Sequence, residues 1–195
     1  MSTSTGGAPS LQITQMFLDT RSFLRQRLEN AEAPSAFFLR FATPLIGIRS
    51  AAVLLRGMIA GEALVGFVLA LGNFVLQMGA WLAVSFTLPV VVKQFGSRME
   101  DRTGFAVTSY VSAPLWIAGA LYIVPEEPPL TFFWSRALVT FFAGFGLYVG
   151  YRSFEILEVK SRSAVLGAMV AVYVVAYLFL FGLVGLSSNL FLFLF

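Results

Sequence analysis

Five runs of about twenty apolar residues, 36–59, 63–92, 105–124, 132–151 and 164–186, are joined by connectors as short as three residues. Some 20 apolar residues is the length that crosses the hydrocarbon of a bilayer as a helix. In hydrocarbon every backbone N–H and C=O must be paired within the protein, which leaves helices or a closed barrel, and runs of this length specify helices. The chain is 58% hydrophobic and 12% charged, so its 13 basic and 10 acidic residues could not coat a soluble core of this size. The expectation is an all-α polytopic membrane protein with five transmembrane helices. Residues 1–35 form a cytoplasmic tail, and 36–195 form the membrane domain.

The basic residues give this bundle an orientation. Arg21, Arg25 and Arg27 precede the first run, Lys93, Arg98 and Arg102 follow the second, and Arg152, Lys160 and Arg162 follow the fourth; the connectors at 60–62 and 125–131 carry none. The positive-inside rule then puts the N-terminus and both basic connectors in the cytoplasm. An odd number of spans puts the C-terminus on the opposite side. No early apolar segment with a small-residue cleavage site is visible, so the first span is expected to act as its own insertion signal.

Chemistry is narrowed by what the chain lacks. Without cysteine or histidine there are no thiolate nucleophiles, no Cys/His metal sites and no imidazole acid/base groups. No phosphate-binding loop, dinucleotide fingerprint or paired carboxylates in a recognisable context stand out. The reading is non-enzymatic, without cofactor or metal and without nucleic acid.

Three spans contain proline. Pro44, Pro89 and Pro114 each lack an N–H and crowd the carbonyl four residues back, those of Arg40, Ser85 and Tyr110, so each predicts a kink. Freed carbonyls need partners from neighbouring helices, hydroxyls or water, which implies a packed bundle. Pro125-Glu126-Glu127-Pro128-Pro129 reads as the external turn after the third span. Before the spans, about 11–30 has Ile13, Met16, Phe17, Phe23, Leu24 and Leu28 near one helical face with Arg21 and Arg25 on another. That pattern predicts an interfacial amphipathic helix lying in the headgroup layer. The first ten residues, rich in Ser, Thr and Gly, are expected to be disordered.

Arg49 is the costliest residue for lipid to accept, at about 2.5 to 3.5 kcal/mol for a central arginine. Counting helical rise from the ends of the spans brings Asn73, Gln77, Tyr173 and Tyr177 to its depth, which defines a candidate intramembrane polar layer of Arg49, Asn73, Gln77 and Tyr177. Three arrangements answer the cost: an anion or lipid-headgroup pathway, a satisfied buried hydrogen-bond network, or a later-starting span that leaves Arg49 interfacial. Gly146 and Gly150 form a GxxxG pair for close helix packing, within the bundle or between copies. The terminal run Asn189 to Phe195 either extends the last helix or rests against a partner.

The order of several features resembles a known family. After the second span come Phe95-Gly96-Ser97, then Tyr110 four residues before Pro114, the run Leu115 to Gly119, Pro125 at the end of the third span, and Tyr148 and Gly150 in the fourth. Together these resemble the bacterial branch of the Yip family, the Ypt-interacting membrane proteins. The resemblance implies a five-helix membrane domain with a cytoplasmic N-terminus, and for eukaryotic members contact with Rab-type small GTPases in secretory traffic. The acidic Asp-Leu-Tyr-Gly-Pro element and the tyrosine-glycine-tyrosine pattern of those members are missing here. The expectation is therefore an adaptor or accessory subunit in the bacterial plasma (inner) membrane. Its partners would be lipids and another membrane protein or a second copy. The competing expectation is a small transporter, channel or lipid scramblase built around Arg49.

Overall fold

The computed structural model describes residues 9–124 and 129–194, with side chains for 14–124, 131 and 133–183. Among these residues every regular element is helical: α1 (Pro9–Leu18), α2 (Thr20–Glu29), α3 (Pro34–Phe37), α4 (Thr43–Ile59), α5 (Ala63–Gln94), α6 (Asp101–Ala118), α7 (Pro129–Ile156) and α8 (Arg162–Leu194). A π-helical turn, Phe38–Ala42, joins α3 to α4, and a 3-10 turn, Gly119–Ile123, extends α6. Four of the helical stretches, Pro34–Ile59, Ala63–Gln94, Asp101–Ile123 and Arg162–Leu183, are long and apolar enough to cross a membrane. The expected fourth span lies inside α7, which also carries Ser135, Arg136 and Thr140. The external turn at 125–128 and the first eight residues lie outside the described residues.

Close backbone approaches set the packing. At the α4–α5 hairpin, a Cβ added to Gly57 would stand 2.4 Å from the Gly66 Cα, so the two helices touch where neither has a side chain. The hairpin turns at Gly61, whose φ of +78° suits glycine, and the Glu62 N–H closes it by donating to the Gly57 carbonyl at 2.8 Å. A Cβ on Gly146 would lie 2.5 Å from the Val111 carbonyl oxygen, and one on Gly150 would lie 2.9 Å from Leu166 Cδ1, so the GxxxG pair seats α7 on α6 and α8. α8 in turn packs on α5, with the Leu180 side chain against Gly79.

Helix α6 is the most covered of the four apolar stretches and centres the core. Its Tyr110 ring meets Phe23 of α2, Phe37 of α3 and Phe41 of the π turn edge-on, with centroids 5.2, 5.8 and 5.3 Å away. Trp81 of α5 is fully buried between Phe105 and Trp116, and its indole N–H donates to Ser109 Oγ at 3.2 Å, which in turn donates to the Phe105 carbonyl.

The prolines act differently at each position. Pro44 follows the π turn, where both the N–H and the hydroxyl of Thr43 donate to the Phe38 carbonyl, so the irregularity of the first span is a widened turn. Neither Pro89 nor Pro114 ends its helix. Gly104 of α6 packs directly on the Pro89 ring, with the Ser85 carbonyl beside it.

The N-terminal segment departs from a single helix lying flat in the headgroups. It is two helices broken at Asp19, whose carboxylate caps α2 by accepting from the Ser22 N–H at 3.2 Å. Its apolar residues Met16, Phe23, Leu24 and Leu28 are buried in the common core, and Phe17 stacks on Phe145 of α7 at 4.7 Å. Arg21 and Arg25 remain exposed. The bundle supplies the apolar partner that the sequence pattern assigns to lipid.

At one end the two basic connectors meet. The backbone N–H of Lys160 donates to Ser97 Oγ at 2.8 Å, so the turn after α5 and the turn after α7 share that end. There α7 continues past its apolar run as a short charged stub in which Arg152 Nη1 bonds Glu155 Oε2 at 2.6 Å.

Candidate intramembrane polar site

Arg49 sits midway along α4, on the side that faces the 3-10 turn after α6. A Cβ on Gly119 would lie 2.5 Å from Arg49 Cβ, so the missing side chain at 119 is what admits the arginine stem. Its guanidinium then lies 4.2 Å from the centre of the Tyr122 ring. Arg136 of α7 lies 4.9 Å from the same ring, and Tyr122 thus serves two cations. A desolvated cation–π pair contributes about 2 kcal/mol, which offsets much of the cost of a central arginine.

The hairpin fixes the depth of the neighbouring polar groups. Ser50 is seven residues before Gly57 and Asn73 seven after Gly66, so the two lie level, about 10 Å from the hairpin contact at 1.5 Å per residue. Gln77 follows one turn deeper on the same face as Asn73. Its side chain is 1% exposed, and its Oε1 accepts from the Tyr173 hydroxyl of α8 at 2.9 Å. Tyr177 stacks on Tyr173, with centroids 6.2 Å apart and planes 18° apart. Arg49, Tyr122 and Tyr177 all lie within electrostatic reach of the Tyr173 hydroxyl. Of the four residues expected in the layer, Arg49 and Asn73 lie near one depth on α4 and α5, Gln77 stands one turn deeper, and Tyr177 is attached through Tyr173. Tyr122, on the far side of Arg49, is the member that counting depth does not reveal, because it sits beyond the third span's proline on a different turn geometry.

Several donors of this cluster have no acceptor. Arg49 Nε, Asn73 Nδ2 and Gln77 Nε2 are buried with no hydrogen-bond partner among the described residues, and Ser50 Oγ is likewise unmatched. Leaving such a group unpaired costs about 1 to 3 kcal/mol, more when it is charged. No carboxylate stands on α4, α5, α8 or the Gly119–Ile123 turn. The arrangement is suited to receiving an acceptor.

Beside it, α5, α6, α7 and α8 border a half-open cleft of about 220 Å³ lined by Val84, Val111, Leu115, Gly146, Met169 and Tyr173, with Thr108 and Ser112 at its wall. Tyr173 belongs to both features: its ring lines the cleft and its hydroxyl joins the polar cluster. No group of three or more His, Cys, Asp or Glu side chains gathers for a metal among the described residues.

No protein-family model, curated protein or solved structure matches this chain.

Proposed function

We propose that the chain is a five-span, non-enzymatic protein of the bacterial plasma membrane, Yip-like in fold, with its N-terminus in the cytoplasm and its C-terminus on the opposite side. In this reading it is an adaptor or accessory subunit that binds another membrane protein, or a second copy, or shapes the bilayer. The Ser97–Lys160 contact supports the topology, because α6 leaves the end that holds both basic connectors and α7 returns to it. With 28 residues α7 is about 42 Å long, more than the roughly 30 Å of hydrocarbon. Lysines and arginines gathered at that end favour a cytoplasmic placement.

The observation that carries the adaptor role is α8. It is the least covered of the four apolar stretches, it exposes Val174, Val175, Leu178, Phe179 and Phe181, and its 33 residues extend about 50 Å, past the hydrocarbon thickness. A photoreactive residue at Leu178 or Phe181, activated in native membranes, is expected to give one discrete protein adduct, with none from the exposed Phe86 of α5. Lipid adducts alone at every position, with reconstituted vesicles that scramble lipid or leak ions, would overturn the role. That result would install the second reading, a transporter, channel or scramblase, which the unmatched donors around Arg49 favour.

A further inference from the structure

We infer that the cluster of Arg49, Asn73 and Gln77 is a binding site for an oxyanion, the phosphate of an anionic lipid headgroup or a free phosphate. Three independent features converge on it. First, three N–H donors, Arg49 Nε, Asn73 Nδ2 and Gln77 Nε2, are each buried and each lack an acceptor among the described residues, and the Ser50 hydroxyl level with Asn73 is unmatched as well. Gln77 is 1% exposed, and its own carbonyl is already occupied by the Tyr173 hydroxyl, so its amide nitrogen must be served from elsewhere. Second, the described elements around Arg49 bring no carboxylate to it. α4, α5, α8 and the Gly119–Ile123 turn contain no Asp or Glu, and the acids of α6 and α7, Asp101 and Glu155, stand at the opposite end of those helices. Third, Tyr122 presents its ring to Arg49 at 4.2 Å and to Arg136 at 4.9 Å, which gathers two cations on one ring. Phosphate and carboxylate oxygens suit planar guanidinium and amide donors, because one oxyanion accepts several N–H bonds at once.

The adjoining cleft favours the lipid as source. Tyr173 connects the donors to about 220 Å³ of mostly apolar space, room for a segment of acyl chain beside the headgroup. This inference deepens the second functional reading by naming what the Arg49 layer binds, and it holds whether or not the ligand then moves. A protein that binds without scrambling would end the pathway reading and leave the site intact.

The test uses full-length protein in a neutral detergent, with bound lipid counted by native mass spectrometry and thermal midpoints recorded alongside. Phosphatidylglycerol, diacylglycerol and inorganic phosphate are the probes. Wild-type protein is expected to retain one phosphatidylglycerol and to gain thermal stability saturably, with no response to diacylglycerol, which lacks the phosphate. Stabilisation by inorganic phosphate to the same extent would assign a free anion as the source. Arg49→Gln should weaken binding at least tenfold, and Asn73→Leu severalfold. The Arg21→Gln, Arg25→Gln double variant, which removes exposed surface charge, should leave it unchanged. If Arg49→Gln does not fold, Arg49→Lys, which keeps the charge and loses the Nε donor, is expected to show an intermediate loss. Glu126→Gln with Glu127→Gln should bind at least as tightly as wild type. Equal retention of diacylglycerol, binding indifferent to every change at 49 and 73, or loss of binding in the 126/127 variant would each overturn the site.

Discussion

Glycine 146 shows how little freedom single positions have where helices touch. Its missing Cβ would stand 2.5 Å from the Val111 carbonyl, an atom of a helix backbone that cannot move aside alone, whereas Gly144, two residues earlier, faces open space. Gly146→Leu is therefore expected to destabilise by at least the roughly 1 to 3 kcal/mol typical of overpacking, and Gly144→Ala to be nearly silent, as read by thermal midpoint in detergent. The same resolution decides the polar layer. Depth along a helix follows from counting at 1.5 Å per residue, so Arg49 and Asn73 could be brought level, with Gln77 one turn beyond, from the chain alone. Rotation about the helix axis could not. Tyr173, and not Tyr177, reaches Gln77 because the seating of α8 on α5 at Gly79 and Leu180 sets its phase, and that contact has no local signature. Tyr122 was equally hidden, since it meets Arg49 through the absent side chain of Gly119.

At the scale of elements, the N-terminal helices show where an amphipathic pattern stops being informative. The sequence marks the apolar face, yet lipid and protein are equally good cover for it; the bundle takes Phe23, Leu24 and Leu28 because α6 and α7 offer Tyr110 and the Phe145 region as partners. The charged end of this docked unit has its own pH dependence. Glu155 lies beyond the apolar run of α7, and the hydrogen bond from Arg152, followed by the charges of Arg152, Arg162 and Arg21, holds its carboxyl below the ordinary 4.5. A depressed carboxylate contributes its stability above the ordinary value and loses it as pH falls through the folded one. Below that range three arginines from α2, α7 and the start of α8 are left without their shared anion. Acidification is expected to release α1 and α2, read as faster proteolysis near Asn30, and Glu155→Gln should reproduce this at neutral pH; protection that is flat with pH would refute the coupling. The α4–α5 hairpin makes the complementary case. Gly66→Val would set a Cβ 2.8 Å from the Gly57 Cα and force the two backbones apart, so it should destabilise the protein and, by shifting Asn73 against Arg49, alter lipid retention as well.

For the whole molecule the open question is parity, because hydropathy singles out four stretches while the path of the chain requires α7 to run the height of the bundle. The two statements are compatible: Gly146 and Gly150 hold α7 against α6 and α8, Ser135 is buried, and the exposed Thr140 satisfies its hydroxyl within the helix by donating to the Arg136 carbonyl. Parity is testable, since the chain has no cysteine and each introduced thiol is the sole label site. If α6 and α7 both cross, Ser97→Cys and Ser161→Cys will react with an impermeant maleimide from the same side, and Gly61→Cys from the other. The geometry adds a stricter demand. Ser97 Oγ lies 2.8 Å from the Lys160 backbone nitrogen, so their Cα atoms are within about 7 Å, the outer reach of a disulfide. The pair Ser97→Cys and Lys160→Cys should therefore oxidise to an intramolecular cross-link in the membrane-embedded protein. Labelling of 97 and 161 from opposite faces would leave α7 on one side of the bilayer, and with it both the five-span count and the shared basic end would fall.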